Sequence, residues 1–411
     1  MDSILGIVAD DLTGAGDSAV QFACRGIPSM VIFGNEKPPK NVRVLAINTD
    51  SRGLSCSEAT VATANAARLL KKLGVTNFYK KVDSMLRGQL GAELESLMDT
   101  LGIETALVAP AYPANARVTA GGFHLANQIP VAESEASVDP VCPVRESHLP
   151  SLLKASCRRK VGFISLSIFN KGEAAVELEI EQLRREGNQI IACDSTTEAH
   201  LKIIAGYLLK NSGVLGCGTA GLAKAMSQLQ SGKELPQEFN GQNHNLISLP
   251  VLVIAGSRSP ITAKQIENSI NFAKLVPFLL EQESDEIIIF KVVEALKDGK
   301  NTILYVPNST PLLTGPTASS ILADTLGRIT AGVLAEVAVG GLVLTGGDIA
   351  KAVSRQIQAQ GIELKAELAP AVPIGCFTGG LKPGLRVISK GGACGGLDIF
   401  QKAIDFLKIG A

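Results

Sequence analysis

The 411-residue chain has no tryptophan and only four tyrosines, so it offers few aromatic anchors for an interface and leaves a Leu- or Ile-based homodimer open. It has no excess of charge of either sign: 39 Lys plus Arg balance 39 Asp plus Glu, and bulk attraction to nucleic acid or anionic lipid is excluded. No two of its eight cysteines stand three apart, and its four histidines make no HExxH, so no zinc or CxxC redox site is expected. No apolar run approaches the ~20 residues of a membrane span. The start, MDSILGIVADD, lacks a basic n-region and soon meets the Asp10–Asp11 pair, which predicts no signal peptide. GxxxxGK[ST] is missing, which excludes a P-loop. The expectation from these absences is a reduced, cytoplasmic protein.

What the chain does have is apolar content, 46% of residues, and 41 glycines, about a tenth of the chain against a usual ~7%. Short apolar runs recur without alternation, as strands covered on both faces do: near Ile4–Val8, Met30–Phe33, Val44–Ile47, Phe78–Val82, Ala106–Ala109, Phe163–Ser165, Ile190–Cys193 and Val214–Leu215. Helical patterns lie between them, among them Ser55–Leu73, where Ser55 and Glu58 can form a capping box. The polar, aperiodic stretch SQLQSGKELPQEFNGQNHNLISL interrupts this alternation, which then restarts with VLVIAG, IIIF (287–290), TILYV, GLVLTGG and RVISKGG. The reading is two α/β domains with mainly parallel sheets, 1–228 and 250–411, joined by a linker at 229–249, with the active site in the interdomain cleft.

Ligands of open parallel sheets gather beyond the carboxyl ends of strands. In the first domain those ends carry Asp10, Asp11 and Asp17; Asp50 and Arg52; Lys81, Asp83, Ser84 and Arg87; and Asn115 with Arg117. Carboxylates accept from several hydroxyls, and Arg forks onto a carboxylate or phosphate, so the set suits a small polyhydroxylated acid. Taken singly, each residue also reads as a solvated loop charge or a helix cap.

Three loops of the second domain share a strand–glycine–helix design: Gly256-Ser257-Arg258-Ser259-Pro260-Ile261-Thr262, Thr345-Gly346-Gly347-Asp348, and Lys390 through Gly396. Glycine admits close approach of phosphate, and a helix start presents free N–H groups. Gly216-Cys217-Gly218-Thr219-Ala220-Gly221 also matches GxGxxG, but no acid-tipped second strand follows, so closing a βα unit is the better reading.

On these segments the chain resembles the four-carbon acid sugar kinase family over nearly its whole length. IVADDLTGAGD, KKVDSMLRGQLGAEL, APAYPANARVTAGGFHL, GTAGLA, GSRSPITAKQ, TGGD and KGGACGG stand in the family's order. The resemblance implies a sugar-acid site built from Asp10, Asp11, Asp17, Arg52, Lys81, Asp83, Ser84 and Arg87. It implies a nucleotide site built from Ser257, Ser259, Thr262, Gly346, Gly347, Asp348, Gly392 and Gly395. Three positions depart from the family pattern: Ile349 where a Thr is usual, Gly391 where a Ser is usual, and Cys394 where an aromatic is usual.

The expected reaction is ATP-dependent phosphorylation of a terminal hydroxyl of threonate, erythronate or an oxo-tetronate. Asp83 or Asp10 is the candidate base, Lys81 supports the transferring group or the substrate carboxylate, and Mg²⁺ is carried by the nucleotide with no dedicated protein metal site. Rival readings are a non-catalytic sensor of sugar acid and ATP, and a hydroxy-acid dehydrogenase resting on GxGxxG alone.

Overall fold

The computed structural model describes residues 4–35, 37–139, 141–231, 249–279, 283–307 and 318–408. The chain divides into two units, Met1–Leu235 and Pro236–Ala411. Most of the expected linker, 232–248, lies outside the described residues.

The first unit contains strands β1 (Leu5–Ala9), β2 (Ser29–Ile32), β3 (Val44–Asn48), β4 (Asn77–Lys81), β5 (Thr105–Ala109), β6 (Arg117–Ala120), β7 (Phe123–Ala126), β8 (Ile129–Pro130), β9 (Val161–Ile164), β10 (Ile190–Cys193) and β11 (Val214–Gly218). Eight form a parallel sheet ordered β2-β3-β1-β4-β11-β5-β10-β9, and β6-β7-β8 form a small antiparallel one. Helices follow the strands as the alternation predicts. Helix Cys56–Lys72 opens on the expected capping box, with both Ser55 and Glu58 bonds present. Leu70, Leu94 and Leu97 pack with Val8, Leu45 and Ile190 in a core that excludes water.

The order places a switch point between β1 and β4. The chain leaves β1 toward β2 and β3 on one side and leaves β4 toward β5 on the other, so the connections diverge and open a crevice at the carboxyl ends.

The second unit contains β12 (Val251–Ala255), β13 (Lys274–Pro277), β14 (Thr302–Tyr305), β15 (Gly341–Thr345), β16 (Gly361–Ala369), β17 (Val372–Thr378) and β18 (Arg386–Lys390), ordered β13-β14-β12-β15-β18-β17-β16. The sheet is parallel from β13 to β18 and antiparallel through β17 and β16. Its switch point falls between β12 and β15, whose connections lead to opposite edges.

Residues 287–290 correct the expectation of a strand, since they lie in helix Asp285–Lys297. Asp285 and Glu286 favour a helix start, and Ile288, Val292, Val293 and Leu296 are buried at helical spacing. Ile287 and Phe290 face outward, which made the segment look uniformly apolar.

GxGxxG joins β11 to helix Ala220–Ser231, as expected of a closing βα unit. A Cβ at Gly218 would lie 2.5 Å from the Ala109 carbonyl oxygen, and one at Gly221 would lie 2.5 Å from that of Ala111. These glycines are used for packing against β5 and its following loop.

Candidate active site

The switch point of the first unit gathers most of the residues singled out in its sequence. Asp10 and Asp11 follow β1, and Asp11 caps helix Leu12–Ala23 by accepting from the Gly14 amide at 2.8 Å. Arg52 reaches in from the loop after β3. Its Nε donates to Asp10 Oδ2 at 2.7 Å, and its Nη2 lies 3.0 Å from Asp11 Oδ1 and 3.5 Å from Asp83 Oδ1. Beyond β4, Arg87 forks onto Asp83 through Nε (2.8 Å) and Nη2 (3.0 Å), and its Nη1 reaches Asp139 at 3.2 Å.

Asp83 also shapes its own loop, because Oδ2 accepts from the Met85 and Arg87 amides while Leu86 holds φ 63°, a left-handed conformation. Both Asp83 oxygens are therefore occupied. Burial opposes its ionisation, yet Arg87, Arg52 and Lys81 together hold the carboxyl far below the ordinary carboxylate range. Asp10 is also depressed: burial raises it, and Arg52, Lys81 and Lys80 more than reverse that. It differs in one respect. Its Oδ1 is buried and has no hydrogen-bond partner among the described residues.

Lys81, the last residue of β4, is almost fully buried, with its Nζ 3.8 Å from Asp17 Oδ1. Burial disfavours its charge, but Asp17, Asp10, Asp11 and Asp83 keep the ammonium protonated beyond its ordinary value. It lies directly against helix Leu12–Ala23: a Cβ on Gly14 would stand 2.7 Å from Lys81 Nζ and 2.5 Å from Asp11 Oδ1. Only glycine lets the ammonium settle there.

Supporting this cluster are residues outside the expected set. Lys80 is wholly buried, 2.7 Å from Glu93 Oε2, and donates to the Lys81 carbonyl at 2.8 Å. Glu93 Oε1 accepts from Ser51 Oγ at 2.7 Å, and the Ser51 amide donates to the Asp10 carbonyl. His124, on β7, bridges Thr119 Oγ1 (2.9 Å) and the Ser84 carbonyl (3.0 Å). A carbonyl only accepts, so Nε2 carries the proton and Nδ1 accepts from Thr119. Asp194 secures the β6–β7 turn by accepting from the Gly121 and Gly122 amides, each at 2.9 Å.

A cavity of about 490 Å³ runs beside Leu86, Arg87 and Gly88 and is walled by Gly53 and Val141–Glu146, so it shares Arg87 with the cluster. A second, of about 470 Å³, lies at the opposite ends of the strands, by Leu5, Val44, Asn77 and Val214.

In the second unit the three glycine loops follow β12, β15 and β18. Ser259 caps helix Pro260–Glu267 by accepting from the Ile261 amide, and Ser257 Oγ accepts from the Ser259 amide, both at 3.3 Å. Gly346, at φ 107°, precedes helix Gly347–Gln356, and Asp348 in its first turn accepts from Ser319 at 3.3 Å. Gly392 packs against Ser257, since a Cβ there would meet Oγ at 2.1 Å. Gly395 holds φ 80°. The Thr262 hydroxyl is spent on the Gly392 carbonyl at 2.8 Å. Ile349 is buried, and a Cβ on Gly256 would come within 2.4 Å of its Cδ1, so this apolar side chain packs the second loop against the first.

Among the described residues no cluster of three His, Cys, Asp or Glu side chains could hold a metal ion. None of the eight cysteines forms a disulfide. No helix of the described residues is long and apolar enough to cross a membrane.

Comparison with known proteins finds a sugar-binding N-terminal domain over residues 5–226 and a nucleotide-binding C-terminal domain over residues 252–400. The chain is 31% identical to the D-threonate kinase of Salmonella typhimurium, covering 95% of each chain. It is 29% identical to the D-erythronate kinase of Heliobacterium modesticaldum, over 98% of this chain and 96% of that one. In fold it matches a crystal structure of a Haemophilus influenzae protein with a TM-score of 0.77 at 23% identity, over 98% of this chain and all of that one.

Proposed function

The chain belongs to the four-carbon acid sugar kinase family and is a phosphotransferase with an alcohol acceptor, and on that premise we propose that it moves the γ-phosphoryl group of ATP onto the terminal hydroxyl of a threonate-, erythronate- or oxo-tetronate-type acid. Residues 1–228 hold the acid and 250–411 the nucleotide. The observation that carries the assignment is the buried, unpartnered Oδ1 of Asp10, set at a switch point between Arg52 and Lys81.

Asp10 accepts the proton of the attacking hydroxyl as the new O–P bond forms and the bond to the β-phosphate oxygen breaks, releasing ADP. Its depressed pKa makes it a weak base. Phosphoryl transfer through a loose transition state asks little of its base, and alignment and charge neutralisation carry the catalysis. Asp83, saturated by Arg87, is the lesser candidate for base and the better one for positioning. Arg52 and Arg87 take the acid's carboxylate by exchanging contacts they now make to Asp10, Asp11, Asp83 and Asp139, while Lys81 offsets charge on the moving phosphoryl group. The three glycine loops cradle the phosphates, with Ser257, Ser259, Gly346, Gly347, Asp348, Gly392 and Gly395 nearest the nucleotide. Mg²⁺ carried by the nucleotide would supply neutralisation of phosphate charge, with no protein cluster among the described residues dedicated to holding it. Eight cysteines without a disulfide suit work in a reducing cytoplasm.

A coupled ADP-release assay against threonate, erythronate and their oxo forms tests the proposal. Turnover with at least one is the expected result. No turnover with any of them, in a folded sample that binds ATP, overturns it.

A further inference from the structure

The loop after β18 is anchored by its carbonyl groups. Gly392 O accepts from Thr262 Oγ1 at 2.8 Å and from Lys390 Nζ at 3.3 Å. The next anchors all come from one side chain: Gln265 Nε2 lies 3.2 Å from Cys394 O, 3.2 Å from Gly395 O and 3.0 Å from Gly396 O. Gln265 is fully buried in helix Pro260–Glu267. Its amide orientation follows from the chemistry, because an oxygen set against three carbonyl oxygens would only repel them.

In a planar trans peptide the C=O of one residue and the N–H of the next point in opposite directions. Turning the carbonyls of Gly392, Cys394, Gly395 and Gly396 inward therefore turns the amides of Ala393, Gly395, Gly396 and Leu397 the other way. Ala393, Gly396 and Leu397 are exposed there. Successive outward N–H groups on one loop make a concavity for an anion. The anchoring group is also suitably neutral. A lysine in its place would compete for the phosphate, and a carboxylate would repel both the carbonyls and the ligand. Gln265 Oε1 has no partner among the described residues, so the side chain stays buried for what its nitrogen does.

We infer that Gln265 is the positioning residue of the phosphate loop: it holds the carbonyls of residues 394–396 inward so that the amides of 395–397 face the nucleotide's phosphates. The inference rests on the nucleotide reading above. Thr262 acts in the same sense on Gly392, as an anchor of the loop.

The test compares wild type, Gln265→Glu and Thr262→Val by calorimetry with ATP and with threonate or erythronate, alongside KM and kcat for each substrate and melting temperatures. Gln265→Glu keeps the side chain's size and removes the donors. The expected result is ATP binding weakened about tenfold or more, a matching rise in KM for ATP, and sugar-acid affinity within about twofold of wild type. Thr262→Val, which loses one donor, should raise KM for ATP about threefold. If Gln265→Glu does not fold, Thr262→Val decides, and an unchanged KM for ATP overturns the inference. ATP affinity unchanged in a folded Gln265→Glu overturns it, as does a parallel loss of ATP and sugar-acid affinity, the mark of general loosening. A wild-type protein that binds no ATP overturns the kinase reading itself, whereas wild-type binding that Gln265→Glu leaves intact overturns only this inference.

Discussion

Lys80 and Glu93 meet at 2.7 Å with almost no solvent on either side chain, and this pair joins helix Leu90–Leu101 to the ends of β1 and β4 and, through Ser51, to the loop bearing Arg52. Glu93→Gln keeps the shape and leaves a buried ammonium without its counter-charge. Breaking one side of such a pair costs about 3–5 kcal/mol. Urea unfolding should report a loss of that size, and a loss under about 1 kcal/mol would show that Lys80 finds another partner.

The two candidate bases separate by kinetics. Asp10→Asn should lower kcat by roughly 10²–10⁴, the usual worth of a positioned proton acceptor. Asp83→Asn frees Arg87 and disturbs the loop at Leu86, so its main effect should be a raised KM for the acid. Steady-state rates on folded samples decide it, and a kcat loss confined to Asp83→Asn reverses the roles.

His124 sets a pH dependence of stability. Burial pushes its pKa down to about 4, against a bond to the Ser84 carbonyl that acts the other way. An unfolded chain takes up this proton near pH 6.5 and the folded one only near 4. Its contribution is therefore intact above about 6.5 and falls as pH drops toward 4, by on the order of 3 kcal/mol. Asp10 and Asp83, depressed when folded, lose their contributions only below about pH 4, as pH falls through their folded values. Unfolding measured at pH 7.5 and 5 should show a decline in wild type and a smaller one in His124→Gln. Equal declines would remove His124 from this role.

Gly14→Ala sets two effects against each other. Alanine favours a helix by about 1 kcal/mol. Its Cβ would also occupy space held by Lys81 Nζ and Asp11 Oδ1. The expected outcome is a melting temperature near that of wild type with kcat reduced about tenfold or more, and unchanged kcat would mean Lys81 can shift without loss.

The parallel strands and strand-end clusters were legible because buried strands read as unbroken apolar runs, and the residues after them are the polar ones. Asp10, Arg52, Asp83 and Arg87 could be gathered that way before any coordinates. Glu93 could not: it is one carboxylate in an ordinary helical stretch, LGAELESLMDT, and its meaning comes from Ser51, 42 residues away. His124 lacked a partner histidine and so drew no notice. Gln265 looked like another helix residue, because its work is on carbonyls some 130 positions later. Residues 287–290 misled because Phe290 and Ile287 are apolar on an exposed face. The antiparallel pair β16–β17 was missed since Glu363, Lys365 and Glu367 break the apolar run.

Arg52 already shares its guanidinium among Asp10, Asp11 and Asp83. An incoming anion that Arg52 is to hold therefore meets a guanidinium already engaged and must displace contacts that exist. Binding becomes an exchange of partners, in which simple anions such as chloride or sulfate gain little. If the proposed acid binds here, it would be retained for matching several fixed directions at once, and the site would select by shape where a bare basic patch selects by charge.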